Sequence, residues 1–131
     1  MPLNAALSEA GDPQVIDLAI LAGLLSFDRH KVRKFAFKFL QTTRDGFDEM
    51  EEALAAGNIE RVRQLGHRIK SSARTVGAFG MGELCMALED LPRTSAEHEL
   101  AEARALLGRL WPLLEKITEH IMTNTSFTSE A

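Results

Sequence analysis

Tyrosine is missing from this 131-residue sequence, tryptophan and cysteine occur once each, and aromatic residues make up only 6% of it. With alanine, leucine, glutamate and arginine recurring instead, the composition favours helices over strands. The single cysteine, Cys85, excludes an internal disulfide. Together with His30, His98 and His120, which lack companions at metal-ligand spacing, it leaves no credible zinc set, and no metal is expected on the chain. No Gly-x-x-x-x-Gly-Lys-Ser/Thr loop or other glycine-rich phosphate cradle is present, so the chain is not expected to bind ATP or phosphorylate itself. The N-terminus has no basic stretch followed by an apolar one, so no signal peptide is expected. The longest apolar stretch, Leu18–Leu25, is far short of the roughly 20 residues of a membrane span. A cytoplasmic protein without a membrane partner is the expectation.

What is there suits one globular domain: 45% hydrophobic and 26% charged residues, with a formal net charge of −4. Residues 1–12 read as a flexible lead-in, 13–122 as the helical domain and 123–131 as a disordered tail. Asp12-Pro13 marks the start of a short helix reaching about Leu25 through Val15, Ile16, Leu18, Ala19 and Ala22. Asp28 caps a long second helix with the stripe Val32, Phe35, Ala36, Phe39, Thr43, Phe47, Met50 and Leu54, ended at Ala56-Gly57. Asn58 caps a third, carrying Ile59, Val62, Leu65, Gly66, Ile69, Ala73 and Val76 and ended by Gly77. Met81, Leu84, Cys85, Leu88 and Leu91 line a fourth, which Pro92 stops. Ser95 opens a fifth running to Ile121, in which Pro112 should make a kink or a boundary. No segment alternates with period two. The expected fold is all-α: an antiparallel up-down four-helix bundle with a short additional N-terminal helix.

The chemistry gathers on the third helix. At about 100° per residue, His67 points roughly 150° away from the apolar stripe, so it should be exposed. Arg63 and Gln64 lie one turn before it, Lys70 and Ser71 one turn after, and Arg74 a turn further. Residues 58–74 hold five basic side chains against one acid, a net of +4, which leaves −8 for the rest of the chain. An exposed surface histidine among solvated charges commonly has no task. An imidazole with cations around it and no carboxylate beside it has one specific use: its neutral, nucleophilic form is favoured. The same cations then balance a phosphoryl group that it accepts. Lys70 is best placed for that contact, and Ser71 could donate a hydrogen bond to it. Ser71 and Ser72 are small enough to leave the ring open to a large partner.

The stretch His67-Arg-Ile-Lys70-Ser71-Ser72-Ala-Arg-Thr-Val-Gly77-Ala78, followed by Leu84-Cys-Met-Ala-Leu88-Glu89, resembles the histidine phosphotransfer (HPt) domain. That family shows His-x-x-Lys-Gly-Ser/Ala, then Gly-Ala, then a helix ending in Leu-Glu. The resemblance implies that His67 accepts a phosphoryl group on Nε2 and that Lys70 balances its charge. It also implies that Gly77 shapes the turn between the two central helices. Two departures stand out: Ser71 replaces the usual glycine after the lysine, and Gly66 replaces the common alanine, which would slightly loosen the helix. By the same resemblance, the function is phosphoryl carriage in a multistep His–Asp phosphorelay of two-component signalling. The partners are receiver domains of response regulators and hybrid histidine kinases, with Mg²⁺ on the receiver and none on this chain.

Phe37, about 110° from its helix's apolar direction, either packs under the first helix or offers an apolar contact to the partner. Two other functions remain open: an interaction module that binds a receiver without chemistry, because Ser71 replaces glycine, and a nucleic-acid-binding helix using Arg61, Arg63, Arg68 and Arg74. The acidic remainder of the chain speaks against the second, and a monomer without nucleic acid is expected.

Overall fold

A computed structural model of the chain describes residues 15–125. Within them lie five helices and no strand: α1 (Leu18–Leu24), α2 (Arg29–Ala55), α3 (Ile59–Thr75), α4 (Phe79–Glu89) and α5 (Ala96–Thr125). Side chains cap four of these starts. Asp17 accepts from the Ala19 N–H, Asp28 from Lys31, Asn58 from Arg61 and Ser95 from His98, each at 3.1 Å. Each cap stabilises its helix by about 0.5–2 kcal/mol. Gly57 and Gly77 end α2 and α3 with φ of 72° and 83°. At both ends the next residue's N–H reaches back to the carbonyl five residues earlier, Asn58 to Ala53 at 2.8 Å and Ala78 to Ala73 at 2.7 Å. That closure needs a left-handed residue, which glycine adopts without steric cost.

Three boundaries differ from the sequence reading. The helix expected from Pro13 begins only at Leu18; Asp12 and Pro13 themselves lie outside the described residues. Val15 and Ile16 are buried in a non-helical lead whose next residue, Asp17, donates its N–H to the Gly77 carbonyl at 2.9 Å. Burial of two β-branched side chains plus this tether outweighs the proline signal. Pro112 does not bound α5, which runs unbroken because Leu107, Leu110, Leu114 and Ile117 are all buried around it. Thr123–Thr125, expected in a disordered tail, are helical; residues 126–131, like the lead-in 1–12, lie outside the described residues.

The helices close a ring of contacts, α2 on α3, α3 on α4, α4 on α5 and α5 back on α2. Phe47, Met50, Leu65, Met81, Leu88, Leu110, Leu114, Ile117 and Ile121 fill its middle without exposure. Each such side chain stabilises the fold by about 1.5–3 kcal/mol. Trp111 meets Phe47 edge-on, with 5.2 Å between ring centres, and ties its indole N–H to Glu51 at 3.0 Å. Phe35, placed in the core stripe by its spacing, is instead half exposed, and Ala19 is also at the surface. No helix of the described residues is long and apolar enough to cross a membrane.

Candidate functional site

Position 66 determines how the site is built. A Cβ at Gly66 would stand 2.9 Å from the Cys85 carbonyl oxygen and 3.2 Å from the Leu88 Cβ. The absence of a side chain therefore lets α3 approach the backbone of α4 closely, which corrects the reading of Gly66 as a loosening change. The next residue on α3 is His67, and the last residue of α4 is Glu89. Close approach brings the two together.

The His67 side chain is 63% exposed, and its Nδ1 lies 2.7 Å from Glu89 Oε2. The other oxygen, Oε1, accepts from Lys70 Nζ at 2.5 Å. The expected imidazole without a carboxylate neighbour is thus overturned. A carboxylate holds one ring nitrogen, and the lysine that was to meet the phosphoryl group is held by the same carboxylate. Glu89 was the residue the sequence reading missed as a participant. The signal was present, since Leu88-Glu89 closes the motif, but it lies 22 positions from His67 and only the α3–α4 contact joins them. The hydrogen bond from Lys70 holds the Glu89 carboxyl below the ordinary carboxylate range, against the effect of burial and with help from His67. At neutral pH the carboxylate is ionised and only accepts, so Nδ1 carries the ring proton. The other ring nitrogen, Nε2, makes no hydrogen bond among the described residues.

The other candidates divide. Gln64 and Ser71 are exposed beside His67 on α3. Arg74 is also exposed; its stem lies over Gly82 and its guanidinium reaches the Met86 sulfur at 3.6 Å. Arg63 is different from expectation: it is 6% exposed and turned inward. Its Nη2 meets Glu99 Oε1 at 2.8 Å and its Nη1 donates to the Leu91 carbonyl at 2.5 Å, while Glu99 Oε2 accepts from the Thr94 N–H. Arg63 therefore clasps the α4–α5 connection onto α3 and is not available to a phosphoryl group. Its Nε lies 3.5 Å from Glu60 Oε1 but has no hydrogen-bond partner. Gly77 is buried under Asp17, whose carbonyl oxygen would stand 2.1 Å from a Cβ there, so it anchors the lead into α1 through its backbone and offers no surface. Phe37 is half-buried against the core, with the Arg33 guanidinium 5.3 Å above its ring.

The basic strip of α3 is also largely neutralised. Arg61 and Arg68 both reach Glu49 on α2, Arg63 takes Glu99 and Lys70 takes Glu89. Several cations elsewhere make no ion pair among the described residues: Arg29, Lys31, Lys34 and Lys38 on α2, Arg74 on α3, and Arg109 and Lys116 on α5. On the side of α3 away from Glu89, Arg68 and Ser72 line an open groove of about 440 Å³ against Thr42, Thr43, Asp45 and Glu49 of α2.

Over residues 35–120 the sequence matches the family model of the Hpt domain. The chain belongs to the Hpt domain family. That match spans α2 to α5 and leaves α1 outside it. The fold of this Hpt domain is shared with the crystal structure of histidine-containing phosphotransfer protein B from Pseudomonas aeruginosa PAO1, with a TM-score of 0.76 and 21% identity. The alignment covers 88% of this chain and 97% of that one. Among curated proteins, none matches the sequence.

Proposed function

We propose that this Hpt domain is a phosphoryl carrier of a multistep His–Asp phosphorelay, loaded on His67 Nε2 from the aspartate of one receiver domain and unloaded onto another. The observation that carries this reading is the state of the imidazole: Nδ1 held by Glu89, Nε2 free, and the ring at the surface midway along α3. On this reading α2 to α5 form an antiparallel up-down four-helix bundle that serves as the rigid mount for that ring.

A receiver approaching His67 meets the small, exposed side chains of Ser71 and Ser72 about a turn ahead of it. In-line attack by Nε2 on an aspartyl phosphate needs no further nucleophile, and positioning with charge stabilisation supplies most of the catalysis in phosphoryl transfer. Lys70 can turn from Glu89 to the incoming phosphoryl oxygens without leaving the site, and Ser71 or Arg74 can add a donor. Mg²⁺ belongs to the receiver, and this chain acts as a carrier without ATP binding or autokinase activity. Partner receivers include those of response regulators and of hybrid histidine kinases; the carrier acts as a cytoplasmic monomer. Three of the four arginines that a nucleic-acid-binding helix would need are paired within the fold, Arg61 and Arg68 on Glu49 and Arg63 on Glu99.

The test is incubation with a phosphorylated receiver. Wild-type protein should gain a label that is stable to base and lost in acid, and His67→Gln should fold normally and gain none. Label on His67→Gln, or none on the wild type with any receiver of the same cell, would reject the carrier role.

A further inference from the structure

The corner where α1 turns into α2 exposes apolar side chains that the fold does not use. Ile20, Leu24 and Phe27 follow one another at steps of four and three, and they are 40%, 65% and 72% exposed. Phe27 is the most exposed large hydrophobic side chain among the described residues. On the adjoining part of α2, Lys31, Lys34, Phe35 and Lys38 stand at i, i+3, i+4 and i+7, and so share one face. That face is exposed, while Ala36, Phe39 and Leu40 are buried on the other side of the helix. Residues 28–38 hold five basic side chains against one acid, a net of +4 in a chain whose total is −4. The acid, Asp28, is occupied in capping α2, and the lysines of this face make no ion pair among the described residues.

The backbone holds Phe27 out at a cost. As at the ends of α2 and α3, an N–H reaches back to the carbonyl five residues earlier, here Phe27 to Ala22 at 2.7 Å. At the other two ends the left-handed residue is a glycine, whereas here Ser26 and Phe27 take φ of 54° and 59°. Residues with a Cβ enter that region against a steric penalty, and an aromatic ring left in water forgoes the gain of burial. Two local preferences are overruled at one residue, which points to a contact outside the chain.

We propose that this corner is a membrane-contact site, where Ile20, Leu24 and Phe27 enter the headgroup layer of an anionic bilayer and the lysines of α2 meet the lipid phosphates. An apolar tip beside a basic face is the pattern of peripheral binding to anionic leaflets. The lysine stems can lie along the apolar surface while their ammonium groups reach the phosphates. Shape favours a bilayer over a folded partner. A Cβ on Gly23 would meet nothing within 4 Å, so the tip is convex, and the open groove of this face lies further along α2, between Thr42 and Glu49. A fluid headgroup layer needs no matching surface, whereas the core of a protein interface is packed as densely as a protein interior. The site is also remote from the imidazole. Arg68, next to His67, reaches Glu49 of α2, and Lys34 lies 15 positions before Glu49, about 22 Å along the helix. His67 therefore stays open to water, within reach of a receiver, while the chain rests on a leaflet. The inference does not depend on the carrier reading. It departs from the expectation of no membrane partner, which rested on the lack of a spanning segment, and peripheral contact requires none.

The test is co-sedimentation of the full chain with vesicles of phosphatidylcholine alone or with about one-third phosphatidylglycerol. The protein should bind the mixed vesicles at about 0.1 M salt, bind the neutral ones at least about tenfold more weakly, and come off at about 0.5 M salt. Replacing the three lysines together, Lys31→Gln, Lys34→Gln and Lys38→Gln, should weaken binding about a hundredfold, roughly fivefold for each charge. Phe27→Ala should weaken it about tenfold. Phe27→Gly should weaken it as much while raising Tm, because glycine relieves the left-handed strain. Lys116→Gln, which removes an unpaired cation of α5, should bind as the wild type does. Equal binding to charged and neutral vesicles, or a triple lysine variant that binds like the wild type, would overturn the proposal. So would an absence of vesicle binding, and if the same substitutions then slowed phosphoryl exchange with a receiver or dissolved a dimer, the corner would belong to a protein partner.

Discussion

Replacing Gly66 by alanine isolates the contact that brings His67 to Glu89. In a helix interior the change from glycine to alanine is worth about 1 kcal/mol in favour of the helix. At position 66 the added methyl meets backbone, the Cys85 carbonyl oxygen at 2.9 Å, which cannot swing aside as a side chain can. Overpacking of this kind costs about 1–3 kcal/mol, so Gly66→Ala should lie between unchanged and roughly 2 kcal/mol less stable. Two internal controls separate the terms. Gly108 in α5 has nothing within 4 Å of its would-be Cβ, so Gly108→Ala should gain the full ~1 kcal/mol. Gly46 in α2 faces the end of the flexible Ile69 side chain at 2.7 Å, and Gly46→Ala should fall between the two. Gly108→Ala should then exceed Gly66→Ala by about 1–3 kcal/mol. That gap amounts to roughly 4–12 °C in Tm for a chain of this size. Urea and thermal unfolding measure it directly, and the ring ¹⁵N shifts of His67 report whether α4 has been pushed away. If Gly66→Ala proves as stable as Gly108→Ala and leaves the His67 shifts unmoved, close helix approach does not build the site.

Arg63→Ala leaves Glu99 charged and buried without its partner, so urea unfolding should show a loss of about 3–5 kcal/mol, while Arg63→Met with Glu99→Leu should recover much of it. Burial pushes the Cys85 thiol up to about 12. It should resist alkylation at pH 8 in the folded protein and react once urea unfolds the chain, and rapid labelling of native protein would contradict the packing at α4. The Glu89 carboxyl titrates below its unfolded value, so the stability its contacts supply is complete above the ordinary carboxylate range and is lost as pH falls through the lowered value. Its carboxyl ¹³C titration should therefore have a midpoint below that of a glutamate in a short peptide, and a midpoint at or above the peptide's would remove the Lys70 clamp.

How much of this could be read from the sequence depends on how far each cause reaches along the chain. The caps Asp28, Asn58 and Ser95 and the ends at Gly57 and Gly77 act within five residues, and all were legible. The exposure of His67 follows from helical period alone. What escaped were effects that exist only between elements. Asp12-Pro13 is a sound local start, but burial of Val15 and Ile16 and the Asp17–Gly77 tether decide where α1 begins. Phe35 and Phe37 share a helix turn, and which of them turns inward depends on what packs against it.

Charge shows the same limit more sharply. Counting along α3 gives +4, yet a count cannot tell a free cation from one already matched across a helix interface, and the fold matches most of them. Arg63 is the clearest case: its spacing places it one turn from His67, while its side chain leaves for Glu99, 36 positions away. The carboxylate that matters to the imidazole belongs to α4, and Gly66, a small residue that the helix itself would do better without, is what lets it arrive. The local penalty of that glycine, about 1 kcal/mol of helix propensity, is therefore itself evidence for the site. A position where local preference is overruled in favour of a close backbone contact marks where the chain is built for something other than its own stability.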